Sequence, residues 1–234
     1  MDVVIADDAA ERAAEFIRSI VQGVDGPAAI AVSGGSTAPA MLAALRLDEL
    51  PTPVGVWQVD ERVAPAGSAD RNAEQLAGLT AAVTPLRVDE VVAGATLVSA
   101  AAASSTDLPP RFDVVHLGLG DDGHTASWPP SPHPDAGLVD AVSSSVKVVP
   151  INDFNGFDRL TLTPAVVEAA THRVVLVTGS SKAEVVRRWL DEGDPALPVA
   201  RLATVNTTVF LDPSAASLLP AVRDATADPL DVLA

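Results

Sequence analysis

Short apolar runs recur along this chain, and they restrict its fold more than any other feature. Several are nearly continuous in valine, leucine, isoleucine and alanine, which is typical of parallel strands covered on both faces. The strands predicted from these runs are 28–33, 54–60, 113–119, 146–151, 159–163, 173–178 and 204–211. A sheet built from such strands requires helices on both sides to exclude water.

Amphipathic helical patterns separate the apolar runs. Residues 9–21 and the stretch after Ser181 carry apolar side chains at i, i+3 and i+4 spacing. Strands that alternate with helices predict an α/β fold, Rossmann-like and three-layered, with a mostly parallel central sheet flanked by helices. The chain has 234 residues with no internal repeat or long linker, so we predict a single domain over 1–234.

The charge balance limits the ligands. The chain has 31 acidic and 15 basic residues, a formal net charge of −16. This charge opposes non-specific binding to nucleic acid, which depends on Lys and Arg neutralising phosphates. It equally opposes an anionic metabolite. A phosphorylated ligand would therefore need the few cations to be concentrated at one place, helped by helix N-termini and backbone N–H groups.

Composition also bears on location and chemistry. No apolar run reaches the roughly 18 residues of a membrane span, and the acidic N-terminus lacks the basic start of a signal peptide. We therefore expect a cytoplasmic protein that engages neither membrane nor nucleic acid. The oligomeric state stays open, with a monomer favoured. The absence of cysteine excludes disulfides, thiolate nucleophiles and cysteine-ligated metal.

The first candidate motif is Ser33-Gly34-Gly35-Ser36-Thr37, between a predicted strand and a helix with proline in its first turn. Glycines allow close approach of the backbone to a ligand, and a helix N-terminus offers unpaired N–H groups to an anion. The motif lacks the Gly-Lys-Ser/Thr of a Walker loop. It predicts either a phosphate cradle or an ordinary turn with a Ser or Thr N-cap.

The second motif is Asp60-Glu61-Arg62, at the end of the strand 54–60. Ligands of parallel α/β sheets bind at the carboxyl ends of the strands, so these side chains are placed to meet a substrate. The alternative is a solvated charge cluster. Arg71 and Asn72 follow at a predicted helix start and are further candidates for substrate binding.

The third motif is the segment 118–127, which contains Gly-x-Gly-x-x-Gly and is followed by Asp140, as in a dinucleotide fingerprint. We reject that interpretation. Two adjacent aspartates would face the pyrophosphate, and Pro129-Pro130 stops the full helix that the fingerprint requires.

His124 within this segment is the candidate chemical group. Histidine can accept a proton from water at neutral pH and return it later, and Asp122 and Asp60 are candidates to orient it. His116 lies in an apolar strand, so we expect packing rather than chemistry from it. For His133 and His172, in a proline-rich loop and near a helix end, we expect the same.

The fourth motif pairs the strand 159–163, which begins with Arg159, with the turn 177–184. Ser181 and Glu184 have the spacing of a capping box, which predicts Lys182 at the first helical position. A cation is unfavourable there unless an anion binds beside it; the alternative is a tolerated surface lysine. No spacing of acids or histidines indicates a metal, so we expect no metal and no cofactor.

Taken in order, these segments resemble the 6-phosphogluconolactonase family, in the superfamily that includes glucosamine-6-phosphate deaminase and, more distantly, ribose-5-phosphate isomerase. The matching segments are Ser-Gly-Gly-Ser-Thr at 33–37, Asp60-Glu61-Arg62, Asn72 before a helix, Gly-x-Gly-x-Asp-Gly-His-Thr-Ala-Ser at 118–127, Arg-x-Thr-Leu-Thr at 159–163 and Gly-x-x-Lys-Ala at 179–183. Together they span about two thirds of the chain.

Two places distinguish the lactonases from the deaminases. A deaminase is expected to carry Asp-Glu-Tyr where this chain ends in Arg62, and Ile and Phe where it has Thr125 and Ser127. The resemblance thus implies hydrolysis of a phosphorylated sugar lactone, with His124 as general base and Arg159 and Lys182 helping to hold the phosphate. The alternatives are a sugar-phosphate deaminase or isomerase, and a non-catalytic sugar-phosphate sensor.

The chain departs from the family pattern after Ser127. The family usually continues Leu-Phe-Pro-Gly where this chain has Trp-Pro-Pro-Ser at 128–131, and its Ser-Pro-Lys-Pro-Pro stretch is replaced at 149–156. The proline-rich segment 128–145 is the longest irregular one, and long irregular connections are often lids or binding loops. We therefore expect the change to affect substrate fit more than chemistry.

Overall fold

The computed structural model describes residues 1–79, 82–141 and 145–220. Its strands are β1 (Asp2–Ile5), β2 (Ala28–Val32), β3 (Val54–Gln58), β4 (Asp60–Arg62), β5 (Ala82–Thr84), β6 (Val114–Leu117), β7 (Val148–Phe154), β8 (Phe157–Leu162), β9 (His172–Val177) and β10 (Thr207–Leu211). Its α-helices are α1 (Ala9–Gln22), α2 (Ala38–Leu45), α3 (Asn72–Leu76), α4 (Val88–Val92), α5 (Leu97–Thr106), α6 (Leu138–Ala141), α7 (Pro164–Glu168) and α8 (Ala183–Leu190). Short 3-10 helices cover Leu47–Glu49, Ser180–Lys182 and Pro198–Arg201.

Seven strands form a central sheet in the order β1-β10-β9-β6-β2-β3-β5. Each neighbouring pair is parallel. Near the centre, Ile30 of β2 pairs with Val56 of β3 on one side and with Val114 of β6 on the other. The predicted α/β fold with a mostly parallel central sheet is confirmed.

Both faces of the central sheet are buried, which explains the continuous apolar runs. Along β9, Val174 and Leu176 belong to the core that includes residues of α1 and α2, whereas Val175 and Val177 belong to the other core, which includes Trp189 of α8. Burying each such aliphatic side chain contributes about 1.5–3 kcal/mol. A strand between two apolar layers gains from apolar residues at successive positions, so its sequence does not alternate with polar ones.

A smaller antiparallel sheet, in the order β4-β8-β7, lies beside the central one. The predicted strands 146–151 and 159–163 form its β7 and β8. The predicted strand 54–60 is divided, because β3 ends at Gln58 and β4 begins at Asp60 in the other sheet. The strands β1, β4 and β5, of four, three and three residues, were not predicted because runs so short show no periodicity.

The start of α8 corrects the predicted capping box. Residues Ser180–Lys182 form a 3-10 turn, and the α-helix begins one residue later, at Ala183, with Lys182 as its N-cap and no side-chain capping bond. Glu184 does not reach back to the turn but pairs with Arg187 at 2.7 Å. The carboxylate of Glu184 is therefore bonded to Arg187, one helical turn further along α8, and does not cap the helix.

The predicted lid over 128–145 is only partly described, because 142–144 lie outside the described residues. Its first residue, Trp128, is fixed in the core rather than exposed at the surface. The side chain is fully buried, and its indole N–H donates to the carbonyl oxygen of Leu162 at 2.8 Å. The segment is thus anchored to β8 where it leaves the motif 118–127. Among the helices of the described part of the chain, none is long and apolar enough to span a membrane.

The strand order decides which loops can meet. In the sequence β9-β6-β2-β3, four neighbouring parallel strands point their carboxyl ends the same way. The segments that follow them begin at Thr178, Gly118, Ser33 and Val59. Motifs far apart along the chain are therefore brought to a single edge of the sheet, as expected for ligand sites of this fold class.

Candidate active site

A cavity of about 160 Å³ opens at this edge of the central sheet. Its walls come from the turn after β2, from β4, from the start of α3, from the loop after β6, from β8 and from the start of α8. It is lined by Ser33, Gly34, Gly35, Ser36, Thr37, Asp60, Arg62, Asn72, Gly118, Leu119, Gly120, His124, Thr125, Ala126, Arg159 and Lys182. All four candidate motifs thus contribute to one cavity.

The loop after β6 folds tightly on itself and presents His124. The backbone N–H of Gly120 donates to the carbonyl oxygen of His124 at 2.8 Å, and the Thr125 hydroxyl donates to the carbonyl oxygen of Gly118 at 2.9 Å. A Cβ atom at Gly120 would overlap the imidazole ring of His124. Gly120 is therefore required by close packing against the histidine.

His124 is oriented by Asp122. The imidazole Nδ1 lies 2.5 Å from Oδ1 of Asp122, and the same oxygen accepts the backbone N–H of His124 at 3.1 Å. Burial acts to raise the pKa of Asp122, but the bonds to His124 outweigh it and hold that pKa below its usual value. A carboxylate can only accept, so Nδ1 is the donor in this bond; when the imidazole is neutral, Nε2 is then the nitrogen that carries the free lone pair.

The Asp60 side chain has other partners than His124. Its Oδ2 accepts the hydroxyl proton of Ser127 at 2.6 Å and lies 4.0 Å from a guanidinium nitrogen of Arg159. The same nitrogen of Arg159 donates to Ser127 Oγ at 3.4 Å. All three side chains are buried. The predicted role of Asp60 in orienting the histidine is not supported by these contacts; Asp60 belongs instead to a buried network that holds Arg159.

Burial also affects Arg159 directly. Desolvation lowers the pKa of its guanidinium from the usual value, with the carboxylate of Asp60 opposing and the neighbouring Arg62 reinforcing the shift. Arginine nevertheless stays protonated in proteins. A charge that has lost most of its water is favourably placed to receive an anionic ligand.

Glu61 holds the wall between Asp60 and α3. It is fully buried, and its two oxygens accept the backbone N–H groups of Arg62, Asn72 and Ala73 at 2.7–2.9 Å, together with the amide of Gln58. Burial raises the pKa of Glu61, and these hydrogen bonds oppose the rise. The carboxylate caps the first turn of α3, where a negative charge is favoured.

The glycine turn after β2 is shaped by its neighbours. A Cβ at Gly34 would come within 2.5 Å of Oδ1 of Asn72, whose amide donates to the carbonyl oxygen of Asp60 at 2.9 Å. The Gly35 N–H donates to Gln75 Oε1 at 3.0 Å, so this donor is already engaged. The buried hydroxyl of Ser33 has no partner among the described residues, which leaves it available to a ligand.

Two further cations reach the cavity. The ammonium of Lys182 lies 2.6 Å from Oδ1 of Asp121, and Arg62 donates to the carbonyl oxygen of Asp70 at 3.1 Å while its guanidinium lies 5.7 Å from the ring centroid of Phe157. Together with Arg159, they gather positive charge at one place in a strongly acidic chain.

Comparison with known protein families identifies the family of this chain. Residues 2–211 match the family model described as glucosamine-6-phosphate isomerases/6-phosphogluconolactonase. The chain belongs to this family.

Two relatives indicate how close the similarity is. A 6-phosphogluconolactonase of Pseudomonas putida is 34% identical over 199 residues, which cover 81% of this chain and 79% of that protein. The crystal structure of a 6-phosphogluconolactonase from Shewanella baltica OS155 superposes with a TM-score of 0.77 at 25% identity, over 90% of this chain and 95% of that one.

The fold itself is shared beyond the lactonases. A structure described as a monomeric glucosamine-6-phosphate deaminase superposes with a TM-score of 0.73 at 19% identity, over 93% of this chain and 100% of that one. A likeness at that identity concerns the fold alone. Any distinction within the family must therefore come from the residues of the cavity.

Two of the predicted site residues do not line the cavity of this family member. Asp122 stands behind His124. Arg71 is directed elsewhere: its Nε donates to the carbonyl oxygen of Ala64 at 2.8 Å and its terminal nitrogen pairs with Asp89 at 2.7 Å. The helix start was placed correctly, but the residue before it faces away from the cavity. The other predicted residues line it: Ser33, Gly34, Gly35, Ser36, Thr37, Asp60, Arg62, Asn72, His124, Arg159 and Lys182.

Several residues of the site were not singled out from the sequence. Glu61 stood inside a quoted motif, and Ser127 was used only to distinguish lactonases from deaminases, so a buried polar role could have been suspected for both. Asp121 was noted only as an obstacle to a pyrophosphate. Phe154 packs against His124. No sequence motif indicated this contact, because it depends on the geometry of the hairpin between β7 and β8.

Proposed function

We propose that this chain hydrolyses 6-phospho-D-glucono-1,5-lactone to 6-phosphogluconate, the second step of the oxidative pentose phosphate pathway. One observation carries the proposal. A histidine oriented by a carboxylate at 2.5 Å faces a cavity that also holds Arg62, Arg159 and Lys182. A general base beside concentrated positive charge suits the hydrolysis of an anionic ester. The family relatives named as 6-phosphogluconolactonases support the same substrate.

The phosphate of the substrate is held by Arg159 and Lys182 and lies against the turn at Gly34 and Gly35, where the N–H of Gly35 stays bonded to Gln75. Arg159 is fixed by Ser127 and by the backbone of Phe154, so little conformational entropy is lost when it binds an anion. The unpartnered hydroxyl of Ser33 adds a neutral donor. Arg71 has no part in this proposal because of its bond to Asp89.

His124 then deprotonates a water molecule through Nε2, and the hydroxide attacks the lactone carbonyl carbon. The developing oxyanion is stabilised by the guanidinium of Arg62, which lines the same cavity as His124. As the ester bond breaks, protonated His124 returns the proton to the departing ring oxygen. Asp122 holds the imidazole in the required tautomer throughout. The expected chemistry needs neither metal nor cofactor.

The cavity residues favour a lactonase over a deaminase. Arg62 reaches the cavity as a cation, where a tyrosine of the deaminase pattern would be neutral. Ser127 uses its hydroxyl to join Asp60 and Arg159, which the phenylalanine of the deaminase pattern lacks the oxygen to do. Ser127 therefore helps to position Arg159, and Arg62 adds a second positive charge to the cavity.

The test is a direct assay of both chemistries. The purified protein is incubated with freshly prepared 6-phosphogluconolactone, acid release is followed and spontaneous hydrolysis is subtracted; glucosamine 6-phosphate is tested in parallel for ammonia. We expect acid release well above the spontaneous rate and no ammonia. Ammonia release would assign the chain to the deaminases. Thermal stabilisation by 6-phosphogluconate with neither reaction would indicate a sensor.

A further inference from the structure

Phe154 lies between the candidate base and an arginine of the cavity. It ends β7 and is 4% exposed. The centroid of its ring lies 5.2 Å from that of His124 at an interplanar angle of 89°, an edge-on contact. The guanidinium carbon of Arg159 lies 5.0 Å from the same centroid. One side chain outside the cavity lining therefore contacts two that line it.

The backbone of Phe154 reinforces the contact with Arg159. Its carbonyl oxygen accepts Nε of Arg159 at 2.9 Å. The arginine is thus held twice by one residue, through its Nε–H and through the face of its guanidinium. A cation–π contact is stronger when it is buried than when it is exposed, and a fixed guanidinium loses less rotamer entropy on binding an anion.

The ring of Phe154 is itself held in place. His133 packs against it from another direction, with centroids 5.5 Å apart at 78°. The hairpin that carries it is irregular: the pairing of β7 with β8 shifts between Ile151 and Phe154, and Asp153 and Asn155 on either side of it have φ values of 43° and 53°. The turn is stabilised by Asp158, whose carboxylate accepts the Asp153 N–H at 3.0 Å.

We propose that Phe154 is a positioning residue that aligns His124 and Arg159 with each other, and so aligns the attacking water with the bound phosphate. The proposal rests on the lactonase function proposed above. Asp122 holds the imidazole at Nδ1, and the perpendicular contact with the ring of Phe154 limits how far the imidazole can turn about its Cβ–Cγ bond. Catalytic groups must be held within about 0.5 Å of their productive positions, and one rigid ring achieves this for both.

The contacts of Phe154 distinguish alignment from packing, because one ring touches both the candidate base and the arginine. A role in packing alone would change stability, whereas alignment of the base and of the arginine changes kcat and KM together.

The test compares F154L, which removes the ring, with F112L, which makes the same change at a buried phenylalanine that packs against Trp57 before β6. We expect F154L to lower kcat about tenfold and to raise KM about fivefold, since misalignment of a catalytic group and loss of a cation–π contact have effects of this order. F112L should lose comparable thermal stability while kcat and KM stay within about twofold of the wild type.

Two further variants guard against a folding defect. F154M fills the space with an unbranched, flexible side chain and should show the same combined change in kcat and KM, whereas F154Y keeps the ring and should restore both. If F154L or F154M matches F112L in kcat and KM, or if F154Y behaves like F154L while folded, the proposal is overturned.

A binding measurement separates this proposal from the proposed function. Calorimetry with 6-phosphogluconate should show weaker binding by F154L than by F112L, and NMR spectra of the His124 imidazole should broaden in F154L alone. A wild type without lactonase activity would refute the function, and these two measurements would still test the alignment. Equal affinity and equal spectra in the two variants would refute the alignment itself.

Discussion

His116 and His124 are eight positions apart on one strand and the loop that follows it, yet their surroundings are opposite. His116 is fully buried in β6, and neither ring nitrogen has a partner among the described residues. Burial lowers its pKa to about 4. His124 lies beyond the end of β6 with 24% of its side chain exposed and Nδ1 bonded to Asp122.

The comparison shows that the surroundings, rather than the imidazole, make a candidate base. A histidine without an acceptor for its N–H or a path to water can neither be oriented nor exchange a proton. His116 is therefore a buried packing residue whose imidazole is neutral across the physiological pH range. His124 has an orienting carboxylate, partial exposure to water and an adjoining cavity, which are the requirements of acid–base catalysis.

The largest expected effect follows from removing the base. His124→Asn should lower kcat at least about 10²-fold, the usual scale for a positioned acid–base group, while 6-phosphogluconate binds nearly as tightly as to the wild type. Lactone hydrolysis and calorimetry measure the two effects. His116→Leu is the matched control and should keep kcat within about twofold. Near-normal turnover by His124→Asn would remove the distinction between the two histidines.

The close contact between Gly120 and His124 gives a second test of what makes this histidine a base. Gly120→Ala places a Cβ against the imidazole ring, so the histidine must move and kcat should fall about 50-fold. Gly23→Ala is the control, because Gly23 follows α1 outside the cavity and the nearest atom its Cβ would meet is the Ile20 carbonyl oxygen at 3.4 Å. Its kcat should stay close to that of the wild type. Equal kcat in Gly120→Ala and the wild type would mean that the ring contact does not position His124.

The pH dependence of stability tests the buried histidine. The pKa of His116 in the folded protein, about 4, lies below the unfolded value of 6.5. The unfolded state binds the proton first, so stability is complete above pH 6.5 and is lost as the pH falls toward 4. Between pH 7 and pH 5 this amounts to about 2 kcal/mol. Urea unfolding of the wild type and of His116→Leu at both pH values measures this. Between pH 7 and pH 5 the free energy of unfolding should fall less in the variant than in the wild type, by that amount. Equal losses would show that His116 is not responsible.

The smallest expected effect concerns the orienting carboxylate. Asp122→Asn keeps the turn but can hold the wrong tautomer of His124, so kcat should fall about tenfold with KM little changed. Asp194→Asn is a close match, since Asp194 also accepts a backbone N–H two residues ahead and pairs with a nearby cation, Arg188, away from the cavity. It should leave kcat unchanged. If the Asp122→Asn variant is as active as Asp194→Asn, Asp122 does not orient the imidazole of His124.

Elements with a strong local pattern could be predicted from the sequence, and so could much of the cavity. The seven apolar runs became strands, and α1 follows the predicted stripe to within a residue. Most candidate site residues line one cavity because they closely follow a strand end or begin a helix, whereas Arg159 reaches it from within β8. The direction of a side chain at such a place was less predictable. Arg71 precedes α3 as expected, but its guanidinium turns to Asp89.

Local order along the chain thus determined the parallel sheet, the glycine turns and the proximity of Asp122 to His124, because these depend on residues a few positions apart. Tertiary structure alone decided that Asp60 bonds Ser127, 67 positions away, and that Phe154 lies between His124 and Arg159. Such contacts depend on strand order, register and hairpin twist, which set distances between remote segments and leave no periodic trace in the sequence.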